Sequence, residues 1–412
     1  MTVHIPVRSA RSRDEAAAAL IIKVGQALHA YGSPAHQLEA SLTMLAEKLG
    51  VEARFFSTPT AMMVGFGPVQ EGRTSLVRVE PGETNLGKMA QLHELMVAIA
   101  NGRIDPETGC ERVAAIADAP VPYPAWLTSF CCGLAASAAA VFFGARPVEV
   151  LVAFAIGVVV STTSLAAERF PPAARVMAVF AGAMATTLAS LSTWLLGPIA
   201  IFPTALAGIV TLLPGLAFTT AMTELATRNL ASGTARFAGA CVQLLALGLG
   251  LGLGVQAAAQ VGPPPPPYDW PFGLRLLAVV VGAIAASTLL RARVRDFLAI
   301  IVASLFAYVG ARLGGTWFGP VIGAFLGALV LELLSIFYAR LFERPIAVTA
   351  LPGLIVLVPG SIGMQSVHAL MENDVVAGVQ AAFSMLLIAM ALAGGLIVAN
   401  AALPAPKGRV VS

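Results

Sequence analysis

The chain has 412 residues, of which 58% are hydrophobic and only 11% charged, with a formal net charge of +3. Soluble domains carry about 25% charged residues, so a uniformly water-soluble protein is excluded. Aromatic and basic residues do not interleave as a single-strand nucleic-acid surface requires, and no nucleic-acid partner is expected.

The charges are unevenly placed. Residues 1–124 hold 24 of the 47 charged side chains, and the remaining 288 residues hold 23, mostly clustered between long apolar runs. The N-terminal apolar stretch Ala16–Ile22 is cut by Lys23 and is short for a secretory signal core, so residues 1–124 are expected to stay cytoplasmic. Leu20, Ile21, Val24 and Leu28 have helical spacing within Asp14–Ala30, which Tyr31-Gly32 ends. A second helix comes next, with Ser33 as its cap and Pro34 in its first turn. Leu38, Leu42, Leu45 and Leu49 share one face, and Gly50 closes it. Strands are expected at Val51–Ser57, Ala61–Phe66 and Ser75–Glu80, punctuated by glycine and proline. Helices are expected at Leu86–Ala100 and Pro106–Ala117. These elements make a small α+β domain, joined to the apolar remainder of the chain by a stiff linker at Pro120, Pro122 and Pro124.

Ten apolar spans come after the linker, at 126–143, 147–166, 173–196, 199–222, 234–256, 271–290, 296–313, 317–340, 346–367 and 375–399. Each approaches the 20 or so residues that a bilayer core demands. The expected fold is therefore a multi-pass α-helical membrane protein behind a small α+β domain. Its parts are a cytoplasmic domain (1–124), a first five-helix unit (125–260), a proline-rich linker (261–269), a second five-helix unit (270–403) and a tail (404–412). The run Pro263–Pro267 suits an extended connector. With residues 1–124 inside, eleven basic residues fall in inner loops: Arg169, Arg175, Arg228, Arg236, Arg291, Arg293, Arg295, Arg340, Arg344, Lys407 and Arg409. Only Arg146, Arg275 and Arg312 fall outside. The positive-inside rule supports that orientation and places the C-terminus in the cytoplasm.

An offset of 145 residues lays Ala200–Gly215 on Pro345–Gly360. Eight of 16 positions are identical, Pro214-Gly215 and Pro359-Gly360 among them. Five spans per repeat reverse the orientation, which predicts an inverted 5+5 repeat of the kind found in secondary transporters.

The stretch from Leu28-His29-Ala30-Tyr31-Gly32-Ser33-Pro34 to Glu39, and then Phe56-Ser57-Thr58-Pro59-Thr60, resembles the N-terminal domain of the bacterial threonine/serine exporter family. The small-residue-rich spans and the two Pro-Gly segments resemble that family's five-helix units. The resemblance covers nearly the whole chain. It implies an inner-membrane exporter of threonine and serine, driven by the proton motive force. Members split into two proteins resemble dicarboxylate exporters, so a succinate-like substrate is the alternative. A membrane-anchored enzyme or regulatory domain is a third reading, but ten spans exceed what an anchor needs.

Glu332 is the sharpest single signal. It lies about eight residues from either end of Val321–Tyr338, where a carboxylate costs several kcal/mol. Burial disfavours its charged form, the property a proton carrier needs. Pro214-Gly215 and Pro359-Gly360 interrupt spans four and nine. Such breaks are tolerated where they line a cavity. Thr219, Thr220 and Thr223 come after the first break, and Gly360, Ser361, Gln365 and Ser366 belong to the second. Together these are the candidate substrate-binding residues for a small polar molecule.

Glu224, Asp296, Glu168 and His368 are expected to be solvated helix ends or arginine partners. Thr186, Thr187, Ser190, Ser192 and Thr193 are expected to bond to carbonyls of their own helix. His29, His36, Glu39 and His93 match no catalytic spacing, and surface or boundary roles are expected for the histidines. Cys110, Cys131, Cys132 and Cys241 lack metal-ligand spacing. No Walker loop occurs, so neither ATP nor any cofactor is expected. A homo-oligomer is compatible with this composition.

Overall fold

The computed structural model describes residues 10–68, 72–80, 82–257, 263, 265–358 and 360–403. Four helices and one sheet form an N-terminal layer: α1 (Ala10–Ala30), α2 (Ala35–Leu49), β1 (Ala53–Thr58), β2 (Ala61–Phe66), β3 (Arg73–Arg78), α3 (Leu86–Ala100) and α4 (Pro106–Asp118). The strands pair antiparallel in chain order, with Phe55 opposite Val64 and Val64 opposite Ser75. Leu20, Ile21, Val24, Leu38, Leu42, Met62, Val64, Leu92 and Met96 make its core. These residues recur every three or four positions on the helices and every second position on β2, as one-sided burial requires.

Gly50 ends α2 in the left-handed conformation, at φ 72°. Ser33 does not cap α2. Pro34 occupies the cap position, and its side chain has no oxygen to accept a bond. Asn85 does cap α3, accepting from Lys88 N, and Asp105 caps α4.

The remaining helices are α5 (Ala125–Phe142), α6 (Pro147–Ala167), α7 (Pro171–Leu196), α8 (Ile201–Gly208), α9 (Gly215–Ala226), α10 (Leu230–Ala257), α11 (Phe272–Leu289), α12 (Phe297–Phe318), α13 (Pro320–Phe342), α14 (Ala347–Leu357), α15 (Gly360–Met371) and α16 (Val375–Ala402). Among the described residues, nine stretches are long and apolar enough to cross a membrane, with α14 and α15 together making one of them. A tenth is present if α8 and the segment through α9, bent by 58°, count as one span. The ten expected spans coincide with these elements to within a few residues, except that α12 runs on to Phe318. Residues 265–271 of the connector carry no helix or strand, while 404–412 and most of 258–264 lie outside the described residues.

Helix pairing has one pattern on each side of the connector. In the first half α5 packs on α6, α6 on α7, α7 on α10, α10 on α9, and α8 on α5, α6 and α7. In the second, α11 packs on α12, α12 on α13, α13 on α16, α16 on α15, and α14 on α11, α12 and α13. The halves meet through α5 with α11, α9 with α16, and α10 with α15. Small residues permit these approaches. A Cβ on Gly254 would meet Ala183 O at 2.6 Å, and one on Gly395 would meet Phe325 O at 2.5 Å.

Candidate functional site

Two interrupted helices define the centre. In the first, α8 gives way to a short 3-10 turn, Val210–Leu212, then to extended Leu213, before Pro214 starts α9. Proline has no amide hydrogen and cannot continue the ladder from α8. In the second, α14 ends at Leu357 and α15 begins at Gly360; Pro359 lies outside the described residues. The two interruptions touch. A Cβ on Gly215 would meet Val358 Cβ at 3.0 Å and Gly360 N at 3.1 Å. Only residues without a side chain let the backbones cross so closely.

Beside this crossing lies a cavity of about 270 Å³, walled by α9, α13, α14 and α16 and by the residues that open α2. Thr219, Thr220, Thr223 and Thr227 come from α9 and its end; Glu332, Ile336 and Arg340 come from α13; Asn400 comes from α16. Pro34, His36 and Gln37 of the N-terminal layer complete the wall. Glu332 is 4% exposed, and its Oε1 accepts a 2.7 Å bond from Asn400 Nδ2. The same amide nitrogen donates to Leu396 O at 3.0 Å.

The threonines form a ladder. Thr219 Oγ1 donates to Gly215 O (3.2 Å), Thr223 Oγ1 to Thr219 O (2.9 Å), and Thr227 Oγ1 to Thr223 O (2.9 Å). Each hydroxyl hydrogen is committed to the helix, so what Thr219 and Thr223 offer a ligand is a lone pair; Thr227 Oγ1 already accepts from Asn229 Nδ2 at 3.1 Å. With Glu332 these groups make a wall of acceptors. Arg340 stands eight residues along α13 from Glu332, about 12 Å at 1.5 Å per residue, and donates to Leu403 O at 2.8 Å.

A family model described as a threonine/serine exporter matches residues 19–258. A second, described as Threonine/Serine exporter, ThrE, matches residues 275–402. The chain belongs to the threonine/serine exporter family. Among curated proteins it is similar to Pheromone-regulated membrane protein 10 of Pichia sorbitophila, 27% identical over 387 residues, covering 89% of this chain and 38% of that protein. Proteins of the same name from Candida albicans and Eremothecium gossypii are each 26% identical, over 89% of this chain and 34% and 50% of their own lengths. The chain thus spans 31–50% of the length of the curated relatives it matches. No solved structure matches. Family membership and the apolar helices make the protein a multi-pass membrane protein.

Of the residues singled out in this family member's sequence, Thr219, Thr220, Thr223 and Glu332 share the cavity. Pro214, Gly215 and Gly360 lie at the crossing of the two interruptions. Ser361, Gln365 and Ser366 are not among the cavity-lining residues. Ser366 Oγ instead donates to Gly378 O at 2.6 Å, tying α15 to α16, and Gln365 is exposed. Asn400, Arg340, Thr227, His36 and Gln37 were not anticipated. Asn400 carried a signal, as an amide in an otherwise apolar helix, but sequence placed it one residue beyond the span.

The other ionisable groups also have definite places. Glu224 is fully buried and paired with Arg236, Nε to Oε2 at 3.1 Å and Nη2 to Oε1 at 3.2 Å. It is an arginine partner as expected, but not a solvated one. Asp296 is also buried, accepting the Tyr338 hydroxyl at 2.6 Å. Glu168 is largely exposed, and partial desolvation, followed by the Glu83 charge, raises its pKa. His368 stacks on Phe202 at 3.7 Å and pairs with Glu372. Thr186, Thr187, Ser192 and Thr193 bond to carbonyls of α7, whereas Ser190 Oγ is buried without a partner. Nothing in the sequence warned of Glu149, which is buried, accepts from Arg146 N at 2.6 Å in the capping box of α6, and also accepts from Ala200 N, just before α8, at 2.8 Å.

His29 and His93 are buried rather than at the surface. His29 Nε2 lies 2.7 Å from Thr58 O. Burial pushes His93 down to about 4, with Glu94 opposing and Arg344 assisting. Burial likewise lowers His36, against the raising effect of Glu224. Burial raises Glu39 although it accepts from Ser57 N. Among the described residues no three His, Cys, Asp or Glu side chains group closely enough to share a metal.

Proposed function

We propose that this protein is a secondary transporter that exports small hydroxy amino acids, threonine and serine, across the inner membrane, driven by the proton motive force. The observation that carries the reading is the chemistry of the cavity wall. The Thr219 and Thr223 oxygens of the ladder, with a buried carboxylate beyond them, offer acceptors and ask for a donor-bearing ligand. An ammonium group is such a ligand, and so is a hydroxyl. Donors for the ligand's carboxylate are proposed on Gln37 and Arg340, which also line the cavity. About 270 Å³ lies at the small end of ligand pockets, in keeping with a molecule the size of serine.

Glu332 is the proposed proton carrier: it titrates as access alternates between the two sides. The two halves are proposed as inverted repeats, each a five-helix unit (125–260 and 270–403), behind a cytoplasmic domain (1–124). Three observations support this. The helix pairing recurs across the connector, the Pro-Gly interruptions meet at the centre, and basic residues crowd one face. Reporter fusions at Ser412 and within Pro263–Pro267 should then lie on opposite sides of the membrane.

Arg340 in the wall favours one second reading, a dicarboxylate as substrate. Counterflow of labelled serine, threonine and succinate into proteoliposomes separates the two. Serine and threonine counterflow without succinate is expected. Succinate counterflow alone would replace the amino-acid reading, and counterflow of none of the three would remove both.

A further inference from the structure

We infer that the N-terminal layer is the gate of the transport pathway, and that its latch is the bond between the first amide of α2 and Glu224. This rests on reading the cavity as the transport cavity. Helix α2 lacks a cap of its own. A helix leaves its first amides without partners, and Ser, Thr, Asp or Asn normally supplies an oxygen to them. At α2 the cap position is Pro34, which has none to give. Ala35 N donates instead to Glu224 Oε1 at 3.0 Å, across 189 residues of chain. Glu224 directly succeeds Thr223 on α9, so the latch and the threonine ladder share one helix.

The residues on either side of that bond are part of the cavity wall. Pro34, His36 and Gln37 face into the same space as Thr220 and Glu332. An appended regulatory domain would have no reason to contribute wall residues. The layer supplies the wall of the cavity on its own side, so moving α2 off α9 would widen access there.

The attachment points suit a swing. At α3, Leu86 N and Gly87 N donate to Leu290 O (2.9 Å) and Arg291 O (3.0 Å), and Leu86 and Met89 pack with Ala283, Ala292 and Ile300. That contact combines apolar packing, backbone bonds and the ion pairs of Glu83 and Glu94 with arginines of the second half, fit for a pivot. The contact at α2 is one charge-assisted bond to a carboxylate whose other oxygen is already held by Arg236. Breaking it leaves Glu224 still paired, so the open state strands no bare charge.

The test reads access, not transport. Thr220→Cys, in full-length protein with Cys110 and Cys241 replaced by serine, is exposed to a membrane-impermeant maleimide from the face bearing α1–α4. In the parent, labelling should be slow. Ala35→Pro removes only the latch donor, since proline is well tolerated at the first position of a helix. It should speed labelling roughly tenfold or more, the worth of one hydrogen bond to a charged group. Oxidising a Gln37→Cys/Thr227→Cys pair should return labelling to the slow rate, and reduction should release it. Where Ala35→Pro does not fold, the same cross-link in the parent background should slow the residual labelling further, and reduction should restore it. Fast labelling in the parent, or a rate that neither the proline nor the cross-link changes, would overturn the gate. Because no substrate enters the assay, a failed serine counterflow leaves this result standing, and the reverse.

Discussion

After the first interruption, α9 presents Thr219, Thr223 and Thr227 in a ladder along the cavity. After the second, α15 spends Ser366 on Gly378 and turns Gln365 outward. The carboxylate is distributed the other way. Glu332 stands on α13, and the 145-residue offset that aligns the two interruptions puts Thr187 of α7 in its place. Thr187 only bonds to Ala183 O, at 2.8 Å. The two halves therefore share helix pairing but not chemistry: one supplies hydroxyl acceptors and the other the ionisable group. On the proposed mechanism, symmetry of the scaffold would let both ends open in turn, whereas a single substrate site beside one proton site needs none.

The N-terminal layer meets the halves just as unequally. It reaches the first half through Glu224, buried and held by Arg236, and through β1 against α10. It reaches the second through exposed pairs, Glu83 with Arg291 and Glu94 with Arg293, Arg295 and Arg344. Removing one partner of a buried pair strands a charge, whereas surface pairs contribute little. Arg236→Ala is thus expected to lower stability by roughly 3–5 kcal/mol, and Arg295→Ala by less than about 1 kcal/mol. Thermal unfolding of both variants in detergent reads the difference; equal losses would erase the contrast between the two contacts.

Acid should act on the layer itself. His93 accepts a proton near pH 6.5 when unfolded but only near 4 when folded, because it is buried. Between those values the unfolded chain binds more protons, so falling pH favours unfolding. Stability is full above about pH 6.5 and declines toward pH 4, by about 3 kcal/mol at most. His93→Gln should flatten that stretch of a urea-unfolding series against pH. An unchanged slope would mean that other groups set it.

Next in size is the crossing. Gly215→Ala sets a methyl against Val358 and Gly360 N and should cost about 1–3 kcal/mol by overpacking. Gly239→Ala on α10, which meets nothing within 4 Å, should be neutral or stabilise by up to about 1 kcal/mol. Similar unfolding temperatures for the two would argue against a tight crossing. The smallest effect belongs to Thr187→Ala, expected to change both stability and transport by less than about twofold, since its one bond is local. A large transport defect there would make the two halves chemically equivalent after all.

Much of this was legible in the sequence. Apolar length marked the spans, because a bilayer imposes it. Periodicity marked the helices of the N-terminal layer, and Pro-Gly marked both interruptions. Glu332 and the α9 threonines stood out because polar groups are rare at that depth. What escaped notice came from distant parts of the chain. Nothing in Ser33-Pro34-Ala35 says that its cap lies at Glu224. His36 and Gln37 read as residues of a separate domain, and Glu149 as an ordinary first-turn acid. Ser361 and Ser366 show the converse: hydroxyls at the expected depth whose direction around the helix only packing decides.

The central claim is that Glu332 carries the proton while the α9 ladder holds the substrate. Glu332→Gln keeps the size and most hydrogen bonding of the side chain but cannot titrate. In the same vesicles, serine uptake driven by an imposed pH gradient and serine exchange at equilibrium are measured side by side. The expected result is exchange close to the parent's, with gradient-driven accumulation lost. Accumulation at the parent's level by the glutamine variant would contradict the claim and leave Glu332 a structural residue.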